Sequence, residues 1–143
     1  MRKTLILIAM LTLSACGSRW QEFSSTESGF TIRMPGRPSE QQSVQKTKDG
    51  PVIERTYIFQ PHGSVLAYGV EVMTFPASFQ PADIDTYLVR VHQAYAVKYK
   101  GQMMNKRSIM LDGHPGIEVE MTWSQGHEIS RTYWVKSRLL GIF

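Results

Sequence analysis

Glu118 and Glu120 stand two residues apart in an alternating run. On a strand that spacing puts both carboxylates on one face, about 7 Å apart. Enclosed in a cleft, such a pair can do acid–base work. Here Ile117, Val119, Met121 and Trp123 hold the other parity. That apolar parity is expected to face the core and leave the glutamates on a solvated surface. The histidines, His62, His92, His114 and His127, make no His-x-x-x-His pair. Three fall in or beside turns and His92 falls near the edge of a helical stripe, so no metal ligand set is assigned. Met73, Met103, Met104, Met110 and Met121 raise the thought of a soft-metal site. Adjacent strand residues point to opposite faces, so Met103 and Met104 cannot share one simple site, and core filling is the better account. No Gly-x-Ser-x-Gly, phosphate loop or dinucleotide fingerprint is present. The expectation is a chain with no catalytic residues, no metal and no cofactor.

The remaining reactive group is Cys16, the single cysteine. It follows Arg2, Lys3, an apolar run from Leu5 to Leu13, and Ser14-Ala15. A membrane-spanning helix needs about 20 apolar residues, whereas the apolar region of an export signal needs roughly 7–15. Leu13-Ser14-Ala15-Cys16 resembles the lipobox of bacterial lipoprotein precursors. Small side chains let a peptidase reach the backbone, and only a thiol can carry a thioether-linked diacylglycerol. The resemblance implies a signal peptide over residues 1–15 recognised through Leu13, Ser14 and Ala15, and a lipidated Cys16 holding the protein to a membrane by its acyl chains. In that family Gly17 after the cysteine favours an outer membrane, facing the periplasm. With Cys16 acylated, the chain has no disulfide and no thiolate nucleophile.

The formal charge of +4 loses Arg2 and Lys3 with the signal, leaving a near-balanced chain. Aromatics fall on inward parities rather than beside Lys and Arg. Both facts argue against nucleic acid as a partner.

The stretch 16–28, polar and serine-rich, reads as a tether from the lipid to a single domain over 29–143. Within it Trp20 and Phe23 are expected to pack on the domain's edge, with contact at the lipid headgroups as the other option. Phe30, Ile32 and Met34 alternate with polar residues, and Pro35-Gly36-Arg37-Pro38 ends that strand. Ser39 to Lys48 is an expected edge strand, Val52 to Gln60 another strand, and Val65 to Phe75 a third. One helix follows, over about 81–100, with Ile84, Leu88, Val91 and Tyr95 as its apolar stripe, Tyr87 and Ala94 widening it, and Gly101 as C-cap. Strands resume at Gln102 to Leu111, then Ile117 to Trp123 after the turn Asp112 to Gly116. In Glu128 to Lys136 the expected inward parity is Ile129, Tyr133 and Val135. Arg138 to Phe143 opens a further apolar strand; either it is the last of the domain, or the domain is a shortened version of a longer one, the second being slightly favoured. This order predicts an α+β fold, a mostly antiparallel sheet of about 6–8 strands packed by one main helix.

Phe30-x-Ile32-x-Met34-Pro35-Gly36-x-Pro38, Leu111-Asp112-Gly113-x-Pro115-Gly116-x-Glu118 and Arg131-x-Tyr133-x-Val135 resemble secreted domains related to the PsbP-like fold. That resemblance covers roughly 29–143 and implies an antiparallel sheet flanked by helices, in accessory or protein-binding subunits. The leading expectation is therefore a lipid-anchored envelope protein whose non-catalytic domain binds another protein. A module for a small molecule or metal ion is the alternative, and would need a deep pocket between helix and sheet. A hydrolase using Glu118 or Glu120 is the third reading.

Overall fold

The computed structural model describes residues 20–124 and 126–143. Residues 1–19, with the signal segment and Cys16, lie outside the described residues. The fold is α+β. Strands β3 (Ser39–Thr47), β4 (Gly50–Phe59), β5 (Tyr68–Thr74), β6 (Gln102–Leu111), β7 (His114–Trp123), β8 (Gly126–Val135) and β9 (Arg138–Ile142) form one antiparallel sheet. Its order is β3-β4-β5-β9-β8-β7-β6. A two-stranded sheet, β1 (Gln21–Ser25) and β2 (Phe30–Met34), and the helix α1 (Ile84–Lys98) complete the domain.

Tight turns set the registers. Asp112 and Gly113 both take positive φ, 49° and 79°, and close β6 onto β7 as a two-residue hairpin. That backbone twist matches paired strands, which is why Asp-Gly is favoured there. The turn is shorter than its sequence suggested, because His114, Pro115 and Gly116 already belong to β7.

Two covers lie on opposite faces and opposite halves of the sheet. Helix α1 packs on β6, β7 and β8. Leu88 meets Ile117, Val119, Met121, Trp134 and Leu139 in one core. Phe75, Phe79, Tyr87 and Trp134 cluster with ring centroids between 4.8 Å and 6.3 Å, seating the helix's first two turns. On the other face the β1–β2 hairpin covers β4, β5 and β9, where Phe23, Phe30 and Ile32 pack on Tyr57, Val70, Val72 and Leu140. The Tyr57 hydroxyl hydrogen-bonds Ser25 Oγ at 2.9 Å and Ser28 Oγ at 2.8 Å, pinning the hairpin.

Several expectations change. Gln21–Ser25, placed in the tether, is a strand, so ordered structure begins before residue 29. Its apolar content is a single residue, and pairing with β2 supplies the rest. Trp20 packs edge-on against Tyr68, at 5.5 Å between centroids, as a domain-edge residue. Val65 and Leu66 belong to an exposed loop, not to β5. The helix starts at Ile84, capped by the Asp83 carboxylate accepting from Thr86 N at 3.1 Å. Ala94 is exposed. At the other end Lys100, φ 53°, takes the left-handed position, and Gly101 N donates to Ala96 O at 2.8 Å. A Schellman motif thus closes the helix one residue earlier than the glycine predicted. In β8 the parity is inverted: Ser130, Thr132 and Trp134 face the helix, and Ile129 is 55% exposed. Tyr133 is buried on the opposite face, against Gly116. The closing apolar segment forms β9, which lies centrally between β5 and β8.

Candidate functional site

Because α1 covers only β6 to β8, the same face of β3 to β5 has no helix above it. The result is a cleft of about 630 Å³ along the flank of α1. Its floor follows from the strand registers. Thr56 pairs with Glu71, Glu71 with Gly141, and Gly141 with Thr132, giving one transverse row across four strands. Gly141 is the gap in that row. A Cβ there would meet nothing closer than Thr132 Oγ1 at 3.7 Å, so the floor between Glu71 and Thr132 is open. At Gly69 the space is instead taken by the Phe143 ring, which lines the cleft at its end.

The walls carry polar groups with perturbed chemistry. Glu71 accepts the Tyr95 hydroxyl through both oxygens, at 2.7 Å and 2.8 Å. Burial pushes the Glu71 carboxyl above its ordinary range; the Tyr95 hydrogen bond opposes this, and neighbouring Glu54 adds to it. Burial also raises the Tyr95 phenol, with the Glu71 charge adding to the effect. Glu128 lines the same cleft and is raised by burial. His92 is 4% exposed, and burial lowers its pKa to about 4, so the ring is neutral. Its Nε2 lies 3.0 Å from Thr132 Oγ1, while Nδ1 has no hydrogen-bond partner among the described residues. A buried polar atom without a partner costs on the order of 1–3 kcal/mol.

Thr132 and His92 have the contact distance of a nucleophile and its base, but not the rest of the arrangement. Both are buried, and no carboxylate orients the imidazole through Nδ1. Among the described residues no group of three or more His, Cys, Asp or Glu side chains is gathered to hold a metal ion.

Glu118 and Glu120 lie on the other face of the sheet, away from the cleft. Arg107 Nε and Arg131 Nε each donate to Glu118 at 2.7 Å. These guanidinium contacts hold its carboxyl down to about 2. Glu120 accepts from Asn105 Nδ2 at 2.7 Å and contacts His127 Nε2 at 2.8 Å, which lower its pKa also. The pair forms a ladder of polar contacts across β6, β7 and β8, with Glu118 held between two arginines. Met103 packs in the helix-side core, while Met104, 52% exposed, falls within the irregularity of β6 between Met103 and Asn105.

The residues that shape the cleft, Glu71, His92, Tyr95, Glu128, Ser130, Thr132 and Gly141, include none singled out as a site in the sequence. One signal was available: His92 sits four residues from Leu88 on the helix, at buried spacing.

A scan of protein-family models finds no match, and a comparison with curated proteins finds none. Among solved structures, the chain is similar to the solution structure of cyanobacterial PsbP (CyanoP) from Synechocystis sp. PCC 6803. The TM-score is 0.53 at 13% identity, covering 91% of this chain and 84% of that one. The domain therefore shares the PsbP fold. Fold alone does not carry function.

Proposed function

We propose that this chain is a lipid-anchored, non-catalytic binding domain of the bacterial envelope that takes a small organic molecule in the cleft beside α1. The observation that carries the reading is the cleft itself: a concavity of about 630 Å³ whose walls are largely apolar and which receives a few buried polar groups. Pockets of roughly 300–1,000 Å³ with that composition are where small ligands bind. The non-catalytic reading is supported by His92 and Thr132, whose contact lacks an orienting carboxylate among the described residues, and by Glu118 and Glu120, tied up in polar contacts on the far face.

The anchor rests on Leu13-Ser14-Ala15-Cys16 and the apolar run before it. In this reading Cys16 carries the acyl chains, and Gly17 directs the protein to an outer membrane, facing the periplasm. Two or more acyl chains give stable attachment, which one chain does not.

A second reading, a protein partner in the envelope, is favoured by the uncovered half of the sheet and by exposed Val65 and Leu66. The sheet edges support it less. All nine residues of β3 are exposed, and eight of them are polar, a composition that discourages strand addition.

Screening a fragment library against the full-length chain by ¹⁵N-resolved NMR tests the cleft. Expected are shifts at Glu71, Tyr95, Thr132 and Gly141, abolished in Gly141→Leu, which fills the floor. Hits confined to other surfaces would overturn the cleft reading. For the anchor, metabolic labelling with an alkyne fatty acid should mark the wild-type chain and not Cys16→Ala; equal labelling of both would remove the lipid from the proposal.

A further inference from the structure

The polar lining of the cleft combines carboxylates with hydroxyl groups that can donate or accept, among them Ser130 Oγ, buried and unpartnered among the described residues. Glu54 and Glu71 lie on neighbouring strands, β4 and β5, close enough for Glu54 to raise the pKa of Glu71. Glu128 adds a third carboxylate from β8, and among the described residues Lys98 is the one Lys or Arg in the lining, its charge acting on Glu71. The Tyr95 hydroxyl donates to Glu71 and is already committed. His92 gives the independent sign of an absent ligand. It is 4% exposed and lines the cleft, with Nε2 committed to Thr132 and Nδ1 unpartnered. With the proton on Nε2, Nδ1 is an acceptor, as a neutral imidazole allows. Around these groups the walls are apolar and aromatic, with Phe75, Tyr99, Trp123 and Phe143 among them.

A half-buried carboxylate such as Glu71 is costly even with Lys98 as a nearby positive charge, and an organic cation lowers that cost. We propose that the cleft selects a small organic cation, an amine or guanidine on an aromatic or aliphatic body, with its charged nitrogen between Glu54 and Glu71. A bare metal ion fits less well, since no set of three ligating side chains converges among the described residues. The apolar body lies against the aromatic walls, and a cation near such rings gains further attraction. This inference rests on the cleft reading above and names its ligand class.

Three probes with one ring system and different charge separate the possibilities: tryptamine, a cation; N-acetyltryptamine, neutral; and indole-3-propionate, an anion. They are titrated into the full-length chain at near-neutral pH by NMR. The expected result is tryptamine binding about tenfold or more tighter than the other two, the scale of one charge-assisted contact. Glu71→Gln and, separately, Glu54→Gln should each lower tryptamine affinity about tenfold while leaving N-acetyltryptamine unchanged. Either variant suffices if the other fails to fold. Equal binding of all three probes in the cleft would overturn the cation inference and leave the cleft reading intact. Tighter binding of the anion would do the same. No binding of any probe would overturn both.

Discussion

The Tyr95 hydroxyl lies 2.7 Å and 2.8 Å from the two oxygens of Glu71, joining the last turns of α1 to the middle of β5. This contact spans the cleft, because α1 rests on β6 to β8 and touches the β5 side mainly through side chains. It bridges the packed and open halves of that face and fixes where the Glu71 charge sits.

Tyr95→Phe removes the donor and leaves a half-buried carboxylate less satisfied. Loss of a hydrogen bond to a charged group should cost about 1–2 kcal/mol. Urea titration should show a lower midpoint with an unchanged slope, and the Glu71 pKa, followed by NMR, should rise further.

The pH dependence of stability follows from His92. Its pKa falls from 6.5 in the unfolded chain to about 4 in the folded one. The unfolded state therefore binds the proton first as pH drops. Stability is full above about pH 6.5 and is lost as pH falls toward 4, by up to about 3 kcal/mol for the whole shift. The raised carboxyls of Glu71 and Glu128 act in the opposite sense, since the folded state holds their protons more tightly. They should offset part of the loss at the acid end. Urea midpoints at about pH 7 and about pH 5 should differ in the wild type and converge in His92→Gln.

Glu118→Gln/Glu120→Gln should leave ligand binding unchanged and lower the thermal midpoint only slightly. The ladder is exposed, so the small loss should shrink further with added salt. Loss of binding in this variant would move the working site to the other face.

Lys100→Gly should raise stability by about 0.5–1 kcal/mol, because a side chain in the left-handed region is strained and Lys100 is exposed. Chemical denaturation is the test, with Gly101→Ala as contrast. That variant should destabilise, since its Cβ would lie 2.9 Å from Thr122 O.

Gly69→Ala should drive a Cβ to within 2.2 Å of Phe143 Cζ and cost about 1–3 kcal/mol. Combined with Phe143→Ala, the loss should be smaller than the sum, by at least about 0.5 kcal/mol. Additive losses would mean that the ring already moves freely away from Gly69.

Much of the architecture was legible in local pattern. Alternation placed β2, β4 and β7, the turn residues Asp112 to Gly116 placed the break between β6 and β7, and the 3.6-residue stripe placed the helix. One misreading falls at the cleft. In β8 the apolar parity of Ile129 and Val135 pointed to the wrong face, because Glu128, Ser130 and Thr132 turn inward beneath the helix flank. A rule that buries apolar residues fails where a surface is shaped for something other than packing. Lys100 misled for another reason: Gly101 is the better left-handed residue, yet the helix register puts lysine there. The transverse row from Thr56 to Thr132 is set by strand order, which no local signal contains.

The place of β9 has a consequence for how the chain is assembled. Strands β3 to β5 form one meander and β6 to β8 another, each made of neighbours in sequence. Only Arg138–Ile142, paired with β5 on one side and β8 on the other, welds them into one sheet. Its pairing with β5 reaches back across the helix and three strands, a loop closure that slows folding relative to local hairpins. Until that segment leaves the ribosome, the inner strands β5 and β8 both present unpaired edges, and the polypeptide remains a pair of unjoined halves.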